Sequence, residues 1–175
     1  DDATAERVRT DVVERTIRAM AHEGVPYRGV LYAGLMLTDA GPRVLEFNCR
    51  FGDPETQALM PRLASEPAAL FLACARGELP SRRVDLRSGA CVTVVLASGG
   101  YPGKYRKGLP ISGLNAAGRV KDVAVFHAGT SRKGRTILTD GGRVLGVTAL
   151  GESVADAIAC AYQAVGKISW KGACF

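Results

Sequence analysis

Polar side chains that could hold a metal ion lie close together in the run LEFNCRFGDPE, residues 45–55. Glu46 and Asn48 are two residues apart in a run typical of a strand, so their side chains share one face. Carboxylate and amide oxygens suit Mg²⁺, which takes one or two protein ligands together with substrate phosphates. The spacing favours a cation site on Glu46 and Asn48; an edge strand with a polar solvent face would show the same pattern.

Charged residues continue directly after this strand. The guanidinium of Arg50 could make a two-pronged contact with a phosphate or carboxylate. Asp53, at a Gly-Pro turn with Glu55, could orient a cationic or amine group. We expect Leu45 and Phe47 to point to the opposite face and to anchor the strand in a core.

The strand that carries these residues is predicted to be the second of an antiparallel hairpin. The β-rich runs Gly29–Leu37 and Arg43–Asn48 are separated by a dense cluster of turn residues. An apolar period predicts a helix over residues 6–23 before the hairpin. Residues 55 to about 79 are predicted to be helical, with a break near Ser65–Pro67.

The remainder of the chain has a β-rich character, after a polar, Arg-rich stretch at Pro80–Ser88. Strands are predicted at Ala90–Ser98, Val120–His127, Arg135–Thr139 and Arg143–Leu150. The turn signal Asp140-Gly141-Gly142 predicts that the last two strands form a hairpin. A final helix, Ser153–Ile168, is expected to begin at Ser153 and to bury one stripe of residues. That stripe consists of Val154, Ile158, Ala161, Val165 and Ile168.

Composition excludes several classes of protein. The 175 residues are 47% hydrophobic and carry 23 Lys+Arg against 17 Asp+Glu, which gives a net charge of +6. This composition is typical of neither a disordered nor a collagen-like protein. The longest apolar runs, Ala69–Ala75 and Cys91–Ala97, are far below the roughly 18 residues of a membrane span. Basic residues are expected to be solvated loop charges, with attraction of phosphorylated substrates as the alternative and nucleic acid disfavoured. They cluster at Arg82–Arg83 with Arg87, at Lys104–Arg106–Lys107 and at Arg132–Lys133–Arg135.

The five cysteines are scattered, and none has the spacing of a zinc site or a C-x-x-C pair. This usage predicts reduced, mostly buried thiols in a cytoplasmic protein. His127 is expected to be a hydrogen-bonded core or interface residue. The glycine-rich run Gly99–Gly103 either offers backbone N–H groups to an anion or forms a tight turn without a ligand.

Five motifs in chain order resemble the glycinamide ribonucleotide synthetase family: LYAGLM (Leu31–Met36), EFNCRFGDPETQ (Glu46–Gln57), GGYPG, VFHAGT (Val125–Thr130) and GGRVLGVTALG. The resemblance covers most of the chain and implies the C-terminal part of that enzyme. The expected fold is α+β: the end of an ATP-grasp domain at 1–64, a helical connector at 65–87, and a small β-rich domain closed by one helix at 88–175. Because the sequence starts at Asp1 without a methionine, we expect a piece of a longer protein.

The resemblance also implies an activity. Enzymes of this family join glycine to 5-phosphoribosylamine through a glycyl phosphate, with ATP as co-substrate. It implies that Glu46 and Asn48 bind Mg²⁺ or Mn²⁺; Arg50 is the candidate contact to a phosphate or acyl phosphate, and Asp53 the candidate for substrate positioning. Cys49 is interpreted as structural, since the reaction needs no thiol nucleophile.

The family's N-terminal half is missing from this chain. The chain alone is therefore predicted to be inactive, with that missing part as its partner and with no nucleic-acid or membrane partner. Another ATP-grasp carboxylate–amine ligase, or a non-catalytic binding module that keeps the fold, are the alternatives. Missing partner strands would leave exposed edges that favour self-association.

Overall fold

The computed structural model describes residues 1–79 and 84–175, so Arg82–Arg83 and the start of the stretch Pro80–Ser88 lie outside the described residues. The chain divides into two compact units. Unit 1 consists of Asp1–Gly52 and Glu66–Arg83, of which 66–79 are described. Unit 2 consists of Asp53–Ser65 and Val84–Phe175.

The helices of unit 1 lie on both sides of its hairpin in the chain. They are α1 (Asp2–Val8), a π-helical segment (Arg9–Glu14), α2 (Arg15–His22) and, later, α4 (Pro67–Arg76). The first three form an unbroken helical stretch, which confirms the helix predicted over residues 6–23. Helix α4 begins with Pro67 in its first turn and ends at Gly77, whose left-handed conformation favours glycine.

The hairpin of unit 1 was predicted correctly, but its packing was not. Strands β1 (Tyr32–Thr38) and β2 (Gly41–Asn48) pair in antiparallel register, with a bulge at Gly34/Leu35. The prediction that Leu45 and Phe47 anchor a core is wrong, because Leu45 is 66% exposed and Phe47 is 41% exposed. Among the described residues no second sheet or helix buries that face of β2.

Unit 2 is built around a four-stranded antiparallel sheet in the order β4-β7-β3-β8. Its strands are β3 (Ala90–Ser98), β4 (Val123–His127), β7 (Arg143–Gly151) and β8 (Ala173–Cys174), and a separate hairpin is formed by β5 (Thr130–Lys133) and β6 (Thr136–Thr139). Its helices are α3 (Glu55–Leu59), which continues into a 3-10 turn (Met60–Arg62), α5 (Leu114–Ala117) and α6 (Val154–Val165). The predicted break between helices near Ser65–Pro67 is confirmed, and α5, β5 and β8 had no recognised signal in the sequence.

Strand β7 lies at the centre of the unit 2 core. It pairs with β3 on one side and β4 on the other, and the six residues from Val144 to Ala149 are buried. Leu96, Val147 and Val165 belong to one apolar cluster, so α6 packs against this sheet. Full burial of each such side chain stabilises the fold by roughly 1.5–3 kcal/mol.

The predicted hairpin between Arg135–Thr139 and Arg143–Leu150 is wrong. Strand β6 pairs with β5, whereas β7 pairs with β3 and β4. Asp140 N–H donates instead to the carbonyl of Gly129, and the two backbones approach so closely that a Cβ on Gly129 would lie 2.5 Å from Gly141 Cα. Strand β7 has nine residues and pairs along most of its length with the nine-residue β3, whereas β6 has only four residues, so the longer pairing overrides the local Asp-Gly signal.

The predicted stripe of α6 is confirmed at Ala161, Val165 and Ile168 and is wrong at its first two members. Val154 and Ile158 are exposed, while Ala157, Ala161, Ala164 and Val165 are buried. The small alanine face permits a close approach: a Cβ on Gly151 would lie 2.4 Å from Ala157 N. Ser153 begins the helix as predicted, through a capping box with Asp156.

Three smaller predictions need correction. Arg132 and Lys133 lie on strand β5 rather than in a loop, although Lys104–Lys107 do form a loop. All five thiols are free, as predicted. The prediction that they are mostly buried is wrong, because Cys49 and Cys174 are exposed, the other three are half-buried, and none belongs to the apolar core cluster. His127 ends the edge strand β4 at the surface, with Nδ1 3.0 Å from Thr130 Oγ1, so it is hydrogen-bonded but not a core residue.

Candidate functional site

The end of strand β2 brings Glu46 and Asn48 together as the sequence predicts. Asn48 Nδ2 donates a hydrogen bond of 3.0 Å to Glu46 Oε1, so both side chains share one face of the strand. Across the hairpin Glu46 lies opposite Gly34, where an added Cβ would be 3.1 Å from Glu46 Cγ. Glycine at this position leaves room for the Glu46 side chain.

The chemistry of this pair fits a hard divalent cation. Glu46 supplies a carboxylate and Asn48 an amide oxygen, which is turned toward such a cation when the amide rotates. In the part of the chain that the structure describes, no three His, Cys, Asp or Glu side chains gather into a metal-binding group. Mg²⁺ commonly takes only one or two protein oxygens and completes its coordination shell with phosphate oxygens and water.

Arg50 lies two residues beyond this pair, in unit 1. Its side chain is exposed, and Nη1 donates to the carbonyl of Phe51 at 3.1 Å. Within residues 1–79 and 84–175 this neutral carbonyl is the one hydrogen-bond partner of the Arg50 side chain, so most of its guanidinium donors are open to an anion. Phe51 itself packs on Phe71 of α4, with ring centroids 5.5 Å apart, which anchors the segment that follows β2.

Cys49 lies between Asn48 and Arg50 and contacts a tyrosine rather than a reactive partner. The pKa of the Tyr27 phenol is raised, first by burial and then by the neighbouring Cys49 side chain. Tyr27 also donates a 2.7 Å hydrogen bond to the carbonyl of Val30. These contacts are consistent with a structural role for Cys49.

Asp53 belongs to unit 2, and its carboxylate is already engaged there. Gln57 Nε2 donates to Oδ1 at 2.9 Å, and Arg143 Nη2 donates to Oδ2 at 3.3 Å. Arg143 Nη1 also donates to the Asp53 carbonyl at 2.7 Å. Asp53 therefore holds a positively charged side chain in place and is itself fixed by it.

Sequence reasoning missed Arg143 and Gln57. Arg143 is ninety residues from Asp53, and no local spacing connects them. Gln57 ends the twelve-residue motif that begins at Glu46 and lies four residues after Asp53 on α3, the helical i,i+4 relation that brings side chains together. The i,i+4 spacing of Asp53 and Gln57 was the one signal in the sequence that could have predicted their contact.

No helix in residues 1–79 or 84–175 has both the length and the apolar character needed to cross a membrane.

Two domain models of one enzyme family match the chain in order. Residues 1–56 match "Phosphoribosylglycinamide synthetase, ATP-grasp (A) domain", and residues 91–175 match "Phosphoribosylglycinamide synthetase, C domain". Glu46, Asn48, Arg50 and Asp53 all fall within the first match.

Curated relatives agree with these matches. The chain is 50% identical over 172 residues to a phosphoribosylamine–glycine ligase of Synechocystis, covering 97% of this chain and 41% of that protein. It is 48% identical over 170 residues to the trifunctional purine biosynthetic protein adenosine-3 of Gallus gallus, covering 97% of this chain and 17% of that protein. The chain thus spans about two fifths of the length of the single-function relative.

Solved structures share the fold. A crystal structure of phosphoribosylamine–glycine ligase from Thermotoga maritima matches with a TM-score of 0.85 and 34% identity, over 99% of this chain and 42% of that one. The N5-carboxyaminoimidazole ribonucleotide synthetase of the same organism matches with a TM-score of 0.59 and 17% identity, over 90% of this chain and 41% of that one. At that identity the second match shows a shared α+β fold only.

Proposed function

Because the chain belongs to the phosphoribosylglycinamide synthetase family, we propose that it forms the C-terminal part of a phosphoribosylamine–glycine ligase. The whole enzyme is an ATP-dependent ligase that forms a C–N bond in purine biosynthesis. Its substrates are ATP, glycine and 5-phosphoribosylamine, and its products are glycinamide ribonucleotide, ADP and phosphate. The chain spans 41% of the Synechocystis relative, so the activity is proposed for the complete protein.

The proposed reaction has two steps. A carboxylate oxygen of glycine attacks the γ-phosphorus of ATP, and the bond to the ADP oxygen breaks, which gives glycyl phosphate. The amine of 5-phosphoribosylamine then attacks the acyl carbon, phosphate leaves, and the nitrogen loses a proton. Both steps gather negative charge on phosphate oxygens, so catalysis depends on positioning and electrostatic stabilisation.

Residues of the segment 46–53 meet that requirement in the proposal. Glu46 and Asn48 hold the divalent cation, Mg²⁺ or Mn²⁺, which when bound neutralises charge on the phosphates of ATP. Arg50 contacts the phosphate or acyl phosphate through its open donors. Asp53, with its carboxylate fixed by Gln57 and Arg143, is a positioning residue for substrate.

The observation that carries the proposal is the pair Glu46 and Asn48. Their side chains are joined by a 3.0 Å hydrogen bond on one strand face, within the segment that matches the ATP-grasp (A) domain. We also propose a cytoplasmic location and a division of the chain at 1–64, 65–87 and 88–175. The partner of this chain is the remaining part of the same enzyme.

Activity is tested by ADP release that depends on glycine, 5-phosphoribosylamine and Mg²⁺. It is measured on this chain alone and on this chain fused to the preceding part of the Synechocystis ligase. We expect activity only in the fusion, and we expect Glu46→Gln to reduce kcat at least about 100-fold, since one charged metal ligand is lost.

Asp39→Asn is the matched control, because it makes the same chemical change in the turn at the other end of the hairpin. It should leave kcat within about twofold of the unchanged fusion. A well-folded fusion that released no ADP would contradict the ligase assignment and favour the non-catalytic binding module. Full activity of Glu46→Gln would contradict the metal role alone.

A further inference from the structure

We propose that a cavity in unit 2 binds the phosphate monoester of a small sugar phosphate. The cavity is lined by Ser98, Gly99, Arg106, Leu109, Lys171 and Gly172. This inference rests on the proposed function, in which one substrate is a phosphorylated amino sugar, and it assigns that substrate's phosphate to the C-terminal unit.

The backbone fixes the two sides of this cavity relative to each other. Ser98 and Gly99 end strand β3, and Lys171 and Gly172 precede strand β8, which pairs with β3 through Ser98 and Ala173. The two segments approach so closely that a Cβ on Gly99 would lie 2.6 Å from the carbonyl oxygen of Gly172. Since the strands are joined at this point, the cavity is part of the sheet framework rather than of a separate loop.

The size of the cavity suits a phosphate group. Its volume is about 200 Å³, which exceeds by an order of magnitude the ~15 Å³ that one water requires. The hydroxyl of Ser98 donates to the carbonyl of Gly141 at 2.8 Å, so it is committed to the protein. Ligand binding is therefore left to the cations and to backbone groups.

The charge of the lining is positive and uncompensated. Arg106 and Lys171 have no acidic partner among residues 1–79 and 84–175, and no carboxylate lines the cavity. The neighbouring Lys107 differs, because its ammonium lies 3.3 Å from Asp140 Oδ1. Two unpaired cations that line one cavity favour a doubly charged anion.

In a second basic pocket of unit 2 the positive charge is partly compensated. It is larger, about 560 Å³, and is lined by Arg119, Lys121 and Lys167, but also by Asp122. The Asp122 carboxylate lies 4.0 Å from Lys121 Nζ and compensates part of its charge. The pocket at Arg106 and Lys171 is therefore the stronger anion site.

The glycine-rich run Gly99–Gly103 forms the tight turn that the sequence left as one of two alternatives, and in this proposal it also borders the anion site. Tyr101 N–H donates to the carbonyl of Ser98 at 3.0 Å, which closes a tight turn. Gly99, the first residue of the run, lines the cavity. The phosphates of ATP are assigned to residues of unit 1, so this site is available for a different phosphorylated substrate.

The test is a calorimetric titration of the whole 175-residue chain with ribose 5-phosphate, repeated with ribose, inorganic phosphate, sulfate and ATP. Trp170 gives a second readout, because it is the single tryptophan of the chain, is buried and precedes Lys171. We expect Arg106→Gln and Lys171→Gln each to weaken ribose 5-phosphate binding about tenfold, the usual loss for a charged hydrogen bond. Lys104→Gln, on the same loop but outside the lining, should leave the affinity within about twofold.

Each outcome decides the inference. Binding of ribose 5-phosphate that is weakened by both variants and not by Lys104→Gln supports it. Equal binding of sulfate and ribose 5-phosphate, tighter binding of ATP, or no binding by a folded chain overturns it. Because ADP release by the fusion protein is measured separately, ligase activity without this binding would overturn the phosphate site and leave the proposed function standing.

Discussion

The hairpin β1–β2 of unit 1 and the sheet β4-β7-β3-β8 of unit 2 are both antiparallel and rich in aliphatic residues. In unit 2 the six residues Val144 to Ala149 are all buried. In the hairpin the large apolar side chains Met36, Leu37, Val44, Leu45 and Phe47 are exposed. Similar strands thus differ in what covers them: α6 packs against the sheet, and among the described residues nothing buries that set of hairpin side chains.

This difference separates stability from candidate chemistry. The proposed cation ligands Glu46 and Asn48 lie on the hairpin, whose neighbouring side chains Leu45 and Phe47 are exposed. The apolar core that stabilises the chain lies in unit 2. We therefore expect core substitutions to affect the two regions very unequally.

The largest expected effect is a cavity in the unit 2 core. Leu96 is fully buried in β3, so Leu96→Ala should lower the free energy of unfolding by about 3–4 kcal/mol. Urea unfolding followed by Trp170 fluorescence measures this. Leu45→Ala in β2 should change the free energy of unfolding, followed by far-UV circular dichroism, by less than about 0.5 kcal/mol. Equal losses in the two variants would remove the contrast between the regions.

Two glycines with similar φ angles sharpen the comparison. Gly113 in unit 2 has φ +83°, and an added Cβ would lie 1.7 Å from the carbonyl oxygen of Lys167. Gly24 in unit 1 has φ +79° with nothing within 4 Å. We expect Gly113→Ala to cost about 2–3 kcal/mol and Gly24→Ala about 1 kcal/mol, the strain of the left-handed backbone alone. Thermal unfolding of both variants measures the difference, and a smaller cost for Gly113→Ala would show that the Lys167 backbone gives way.

The smallest expected effect concerns cysteine reactivity. Burial raises the pKa of the half-buried Cys91 thiol, an effect that the charge of Arg62 opposes. A raised pKa leaves less thiolate at pH 8, and thiolate is the reactive form. Cys91 should therefore be alkylated by iodoacetamide several-fold more slowly than the exposed Cys49, as followed by peptide mass spectrometry. The difference between the two alkylation rates should become smaller as the pH rises. Equal rates for Cys91 and Cys49 at pH 8 would contradict the prediction.

Local patterns in the sequence predicted most strands and helices but few of their partners. Alternation identified β2 and the shared face of Glu46 and Asn48, and the signal at Ser153 identified the start of α6. The Asp-Gly signal at residue 140 failed, because pairing of β7 with β3, about fifty residues earlier in the chain, decides the topology. The engagement of Asp53 by Arg143 is equally non-local.

Burial was harder to predict than secondary structure. The predicted stripe of α6 is right at Ala161, Val165 and Ile168. It is wrong at Val154 and Ile158, because the buried face at the start of the helix is centred on Ala157 instead. The exposure of Leu45 and Phe47 has no signal in the sequence, since an apolar strand reads the same whether or not another element covers it. The motif itself predicted the candidate site residues, while their contacts depended on the fold.

The position of β7 between β3 and β4 has a consequence for synthesis on the ribosome. Strands β3 and β4 leave the ribosome first, yet neither pairs with the other, so both wait for residues 143–151 before the sheet can close. At about 5–20 residues per second that wait lasts several seconds, during which β3 presents two unpaired edges. Nascent chains that stop short of β7 should therefore be clients of chaperones that bind extended apolar segments, and release should coincide with the emergence of Gly151.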